Sequence, residues 1–371
     1  MSDFLSTAHY RIVSIGSRLA SMSIILYVFL VTIVAAFKVT VTVRTSDLPE
    51  ASVQFPKPVN PLSVNVLDNV LLKMISQSSP YFLVASFMFL VMASALLPLM
   101  IRNFTGGARN SGRIALIFAV SWPLLLADFS WLGIGNAALP IFVVLFTLGR
   151  QWLIVGVGLI GWTLTHPEQA FAGSLSLLLL SFASEFAYWR KRAAVAVVVT
   201  GLTFVAGALW LANAGLGGRA GMLPETALVG FTGFLRNDFV GICSWWGLWW
   251  LAVIALLIGL RGSSRIWLVS SLVLVPGLFT IITLDGTRVF SSVASASGIA
   301  IIATLVRVMC GGVPGAGHST RSTQPSSHTY LGYLFLALLL LPNVQVMMPG
   351  EAIPLPGAYT VGLLENLVYS Q

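Results

Sequence analysis

Apolar runs of helical length follow one another along the chain, separated by short polar turns. They fall at 20–37, 80–101, 114–127, 131–149, 151–165, 170–187, 193–214, 239–260, 264–284, 289–309 and 329–345. A full bilayer crossing takes roughly 20 apolar residues in a helix. The pattern predicts an all-α fold, a polytopic transmembrane helix bundle of about 11 spans forming one multi-pass domain over 1–371. The runs at 114–127 and 131–149 are short for a crossing and read as tilted, broken or partly re-entrant. Two longer polar stretches, 38–79 and 215–238, read as loops; the first carries Pro49, Pro56, Pro58 and Pro61. The Gly/Pro/Ser/Thr-rich stretch 311–328 reads as a flexible loop.

Composition agrees with the pattern. The chain is 57% hydrophobic and 9% charged, with mean hydropathy +0.91, where a soluble domain carries about 25% charged residues. The net charge of +8 does not imply a nucleic-acid partner, because membrane proteins collect Lys and Arg in cytoplasmic loops. Residues 1–18 read as a short cytoplasmic, interfacial segment without a cleavable signal. Cys243 and Cys310 form no CxxC pattern and read as small packing residues.

The basic residues set an orientation. With the N-terminus in the cytoplasm, Arg11, Arg18, Arg102, Arg109, Arg113, Arg150, Arg190, Lys191, Arg192, Arg261, Arg265, Arg307 and Arg321 lie inside. Lys38, Arg44, Lys57, Lys73, Arg219, Arg236 and Arg288 lie outside, four of them in one long loop. The flipped arrangement breaks the positive-inside rule at nearly every short turn. The expectation is therefore N-terminus cytoplasmic, C-terminus extracytoplasmic. The acids then sort outward: only Asp3 and Glu185 are inside. Glu185 is expected to pair with Arg190 or Lys191, one helical turn on.

The outward face holds the candidate chemistry. Asp285-Gly286-Thr287-Arg288 forms the tight turn between the apolar runs 264–284 and 289–309, since Asp-Gly is a turn signal. Charge at such a position is costly and is usually kept for a function or a partner. Its bland reading is a helix-end ion pair worth roughly 0–1 kcal/mol. Its functional reading is a catalytic carboxylate beside a guanidinium whose planar fork suits phosphate. Arg236-Asn237-Asp238 repeats the combination. Asp128, His166 and Glu168 are weaker candidates: an Asp closing an apolar span is often an interfacial terminator, and a turn His is more often solvated. The Trp245, Trp246, Trp249 and Trp250 cluster reads as an aromatic belt or packing surface. No Walker loop and no HExxH is present, and the four histidines are scattered, so no metal or cofactor is expected. No internal repeat is visible, which lowers the case for a repeat-built transporter.

This arrangement resembles the integral membrane glycosyltransferases of the GT-C type, and more narrowly the Wzy- and EpsG-like O-antigen and exopolysaccharide polymerases. The residues that carry the resemblance are Asp47 or Asp68 in the first outer loop, Arg219 and Arg236 in a later one, and the Asp285–Arg288 turn. The compact acid pair that many GT-C enzymes have directly after the first helix is absent, as is the large soluble C-terminal domain of some members. The resemblance implies a bacterial inner-membrane enzyme acting on a polyprenyl-diphosphate-linked glycan, in contact with membrane lipids and with other polysaccharide-assembly proteins. Asp285, Asp238 or Asp47 would serve as base, and Arg288, Arg236 and Arg219 would hold the diphosphate. Two rivals stand beside it: a transporter or flippase of lipid-linked glycans, and a non-enzymatic assembly partner.

Overall fold

The computed structural model describes residues 2–36, 42–43, 66–67, 70, 80–108, 110–121, 125, 131–132, 134–216, 228, 231–232, 246, 249–260, 262–283, 286–310, 327–340, 345–348 and 351–353. Among these residues the chain is helical apart from turns and two short two-stranded ribbons. In order, α1 is Ser2–Ser21, α2 Ile24–Ala36, α3 Pro80–Phe104, α4 Ser111–Ser121, α5 Ile134–Leu148, α6 Trp152–Thr165 and α7 Pro167–Leu180. A 3-10 turn, Ser184–Trp189, leads into α8, Arg190–Asn213. Then come α9 (Trp249–Gly259), α10 (Ser263–Val269), a π turn (Ser270–Leu274), α11 (Val275–Thr283), α12 (Gly286–Met309) and α13 (Ser327–Leu340).

Among the described residues, four helical stretches are long and apolar enough to cross a membrane: Phe87–Phe104, Ser184–Asn213, Ser263–Ile281 and Val289–Met309. Shorter apolar helices, α2, α4, α5, α6, α9 and α13, pack among them. The segment expected as an interfacial N-terminus is the helix α1. It packs antiparallel on the start of α13, where Gly16 meets the His328 carbonyl and Gly332 meets the Ile12 carbonyl. Only a residue without a Cβ lets two backbones come that close, and small residues are the usual means of helix contact in lipid.

The centre of the bundle is α12. Over the most apolar 18 residues of Val289–Met309, 89% are buried, against 33% for the matching stretch of its hairpin neighbour Ser263–Ile281 and 17% for that of Ser184–Asn213. Its sequence explains this. Ser291, Ser292, Ala294, Ser295, Ala296, Ser297 and Ala300 are all buried, and small side chains let helices approach from several sides at once. Helix α7 lies along it: Gly173 sits against the Trp162 ring and the Val293 carbonyl, where a Cβ would come within 2.5 and 3.1 Å.

The ribbons tie loops together. Thr42–Val43 pairs in parallel with Trp131–Leu132, joining the stretch after α2 to the stretch before α5. Gln345–Met348 and Glu351–Ile353 pair antiparallel beyond α13.

Candidate functional site

Two ends of the bundle differ in how their backbone groups are satisfied. At one end arginines donate to carbonyls in or just past the last turns of helices, where C-termini leave intrahelical partners short; Asn103 O also accepts from Gly106 N and Thr147 O from Trp189 Nε1. Arg113 Nη2 donates to Met22 O just past α1 (2.6 Å), and Arg150 to Asn103 O in the last turn of α3. Arg192 Nη1 donates to Thr147 O in the last turn of α5 (3.1 Å). Arg190 donates through Nε and Nη2 to Ser181 O, the cap of α7 (3.2 and 3.0 Å). Arg265 donates to Leu260 O and Ile258 O at the end of α9 (2.6 and 3.2 Å). A cation at a helix C-terminus also opposes the negative end of the macrodipole. The arginines collected here by the sequence as one face therefore have a structural task as well. Glu185 departs from expectation: its Oε2 accepts from Ser264 Oγ at 3.2 Å, while Arg190 is engaged with Ser181.

The other end is where α7 and α12 begin. His166 closes α6 and opens α7 in one residue: its N–H donates to Trp162 O at 3.1 Å and its carbonyl accepts from Ala170 N at 2.8 Å. Pro167 at the first helical position has no N–H to leave unpaired, and it holds His166 in an extended conformation (φ −147, ψ 86). The expected solvated turn histidine is instead buried, 9% exposed. Glu168 lies in the first turn of α7, where the helix dipole favours a carboxylate. Next to it, Gln169 Oε1 accepts from Ser292 Oγ at 2.6 Å. Ser292 is one turn beyond Arg288 on α12. This bond brings the His166–Gln169 turn beside the start of α12, with the two helices running the same way. Their N-terminal N–H groups thus point toward the same end.

Of the candidates, His166 and Glu168 are placed as above, and the backbone of Arg288 lies in the first turn of α12. The side chain of Arg288 lies outside the described residues, as do Asp285, Asp238, Asp47, Asp68, Asp128, Arg236 and Arg219. Of the cysteines, Cys310 is half-buried just past α12, and Cys243 lies outside the described residues. Among the described residues, no group of three His, Cys, Asp or Glu side chains is arranged to hold a metal ion.

Midway along the same helices lies a polar cluster that the sequence reading missed. Ser176 of α7, Ser271 of the π turn and Ser297 of α12 are fully buried and mutually bonded. Ser176 Oγ donates to Ser271 O at 2.6 Å. Ser271 Oγ donates to Ser297 Oγ at 3.0 Å, and Ser297 and Ser176 share a bond of 2.8 Å. Each hydroxyl has one proton. Two of the three directions are fixed, so Ser297 donates to Ser176. The chain of bonds starts and ends on Ser271, and every proton is used.

Its cause is the break in the neighbouring helix. Val275 N–H reaches back to Ser270 O in the π register. The next donor would come from residue 276, which is proline and has none. The carbonyls at 271 and 272 are therefore undersupplied. Ser176 Oγ serves the first, and Trp246 Nε1 serves the second, Leu272 O, at 3.1 Å. Trp246 is 1% exposed and meets Phe290 edge-on at 5.3 Å. Trp249 packs against Phe118 at 4.6 Å. These two tryptophans form a packing surface. The available signal was Val275-Pro276-Gly277 following the Ser270-Ser271 pair within an apolar run.

No family model, no curated protein and no solved structure matches this chain.

Proposed function

We propose that the protein is a membrane glycosyltransferase of the polysaccharide-polymerase type, with about 11 spans, its N-terminus cytoplasmic and its C-terminus extracytoplasmic. It lies in a bacterial inner membrane and transfers a sugar or repeat unit from a polyprenyl-diphosphate donor at the extracytoplasmic face. An acceptor hydroxyl attacks the anomeric carbon as the bond from that carbon to the diphosphate oxygen breaks. Asp285 takes the hydroxyl proton as general base, with Asp238 and Asp47 as further carboxylates of the site. Arg288, Arg236 and Arg219 meet the charge that develops on the leaving diphosphate. His166, Glu168 and Asp128 line the same face.

The observation that carries the reading is the bond from Ser292 to Gln169. It gathers two parallel helix N-termini, Glu168 and the first turn that bears Arg288 at the end remote from the arginine-capped one. Helix N-termini favour anions, and a diphosphate is the anion that this substrate class supplies.

The test is a pair of conservative changes. Arg288→Lys keeps a charge but loses the bidentate fork, and Asp285→Asn removes the base. Both are expected to stop polymer formation while lipid-linked precursor accumulates and the protein stays folded in the membrane. Near-normal polymer at matched expression would make the turn a scaffold.

One observation favours the rival transporter reading. A π turn within one apolar helix, with side chains serving its freed carbonyls, is a feature met mostly at functional sites, and interrupted spans are a device of secondary transporters. Efflux of a lipid-linked glycan across vesicles containing only this protein, without glycosyl transfer, would decide for it.

A further inference from the structure

A groove of about 350 Å³ opens on the side of the bundle between α4, α9 and α12. Phe118 of α4, Ala255, Gly259 and Leu260 of the α9 side, and Leu305 and Met309 of α12 line it. Every one of these side chains is apolar or absent. The outer surface next to it is apolar as well: Ile254, Ile258 and Ile266 are exposed. The rim is different. Leu260 is the last residue of the α9 wall, and its carbonyl holds the guanidinium of Arg265. Arg265 is exposed and uses Nε and one Nη2 hydrogen on α9; the rest of its five donors remain. The rim also lies at the end where Arg113, Arg150, Arg190 and Arg192 cap the other helices.

We infer that this groove is a binding site for an anionic phospholipid, with an acyl chain between α9 and α12 and the headgroup phosphate on Arg265. The two halves of the site match the two halves of such a molecule. The depth offers only apolar contact, which suits a hydrocarbon chain. The rim offers a planar donor fork fixed in place by two helix carbonyls, which suits a phosphate. The surrounding arginines add the field that draws anionic lipids to one leaflet. The inference rests only on the helices lying in a bilayer and uses none of the residues assigned to glycosyl transfer, so polymer-formation assays on Asp285 and Arg288 variants stand or fall separately.

The test uses the full chain, reconstituted in vesicles of equal phosphatidylglycerol and phosphatidylcholine, with retained phospholipid counted by native mass spectrometry. Wild-type protein is expected to retain phosphatidylglycerol in excess over its share of the vesicle. A Cβ at Gly259 meets no atom within 4 Å, so Gly259→Leu fits the fold and fills the groove; it should abolish the retained lipid. Arg265→Gln leaves the groove open and should lower the preference for phosphatidylglycerol over phosphatidylcholine about fivefold, the share that one arginine contributes near an anionic surface. Equal retention of the two lipids by wild-type protein would overturn the site. So would full retention by Gly259→Leu, or a wild-type dimer that Gly259→Leu splits, which would make a second copy of the chain the occupant. An unchanged preference in Arg265→Gln would overturn the headgroup assignment.

Discussion

The two arms of one hairpin, Ser263–Ile281 and Val289–Met309, have similar length and similar hydropathy (1.6 and 2.0), yet they do opposite things. The second is an unbroken helix buried at the centre. The first is interrupted by a π turn and buries only a third of its most apolar 18 residues. The difference comes from few residues. Pro276 withholds one N–H where the first arm has already shifted register. The second arm has no proline and is lined with Ser and Ala, so neighbours close on it from all sides. The comparison teaches that in an apolar run the total hydropathy decides whether a helix enters the membrane. The placement of proline and of small hydroxyl residues decides which helix becomes the hub and which becomes the pliable partner.

The largest expected effect is on the hub. Ser297→Leu adds bulk at a site with no exposed surface, between α7 and the π turn. It also leaves the Ser271 proton without its acceptor. Overpacking costs about 1–3 kcal/mol and a buried unsatisfied polar group about 1–3 kcal/mol more. The outcome should be a large fall in the thermal midpoint in detergent, or loss of folded protein. The matching change on an outward position of the first arm, Leu274→Ser, where Leu274 is exposed, should leave the midpoint nearly unchanged in detergent. Equal effects from both would remove the contrast between the arms.

How much of this was legible beforehand follows from the same residues. Hydropathy runs placed α3, α8, the two arms and most shorter helices, because burial in lipid needs only composition and length. The 264–284 run carried one sign of its break, Pro276-Gly277 after the Ser270-Ser271 pair, and that sign does not fix the outcome. Proline is tolerated in membrane helices when neighbours resupply the freed carbonyls, and here those neighbours, Ser176 and Trp246, are 95 and 26 residues away from their partners. Charge patterning pointed to one face, and the Ser292–Gln169 bond sets one of its expected turns, His166–Gln169, beside the start of α12. It could not foresee His166 as buried, because burial was decided by the junction of α6 and α7 and not by the polar tetrapeptide in which it sits. It also paired Glu185 with its neighbours in sequence, whereas the contact made is with Ser264, across helices.

A second, smaller effect isolates the break itself. Trp246→Phe keeps a ring against Phe290 but removes the donor to Leu272 O. A lost hydrogen bond to a buried carbonyl costs about 1–3 kcal/mol. Pro276→Ala supplies an N–H on the same chain, so in that background the tryptophan is no longer needed. The double-mutant cycle should show coupling: Trp246→Phe costs clearly less when combined with Pro276→Ala than it does alone. Additive costs, measured by unfolding in detergent, would show that the indole matters only as bulk.

The smallest effect tests the direction of the serine protons. If Ser271 donates to Ser297, Ser297 to Ser176 and Ser176 to the Ser271 carbonyl, the three hydroxyls are not equivalent. Ser271→Ala removes only the first donor. The other two bonds survive and the freed carbonyl is still served. Ser176→Ala removes the donor to that carbonyl and the acceptor for the Ser297 proton at once. Interhelical hydrogen bonds in membranes are worth about 0.6 kcal/mol on average and up to about 1.7. Ser271→Ala should therefore fall at or below the average and Ser176→Ala near the upper value, in unfolding measured under one detergent condition. A reversed order would mean that the proton chain runs the other way, leaving the Ser271 carbonyl without its hydroxyl and the π turn held by Trp246 alone.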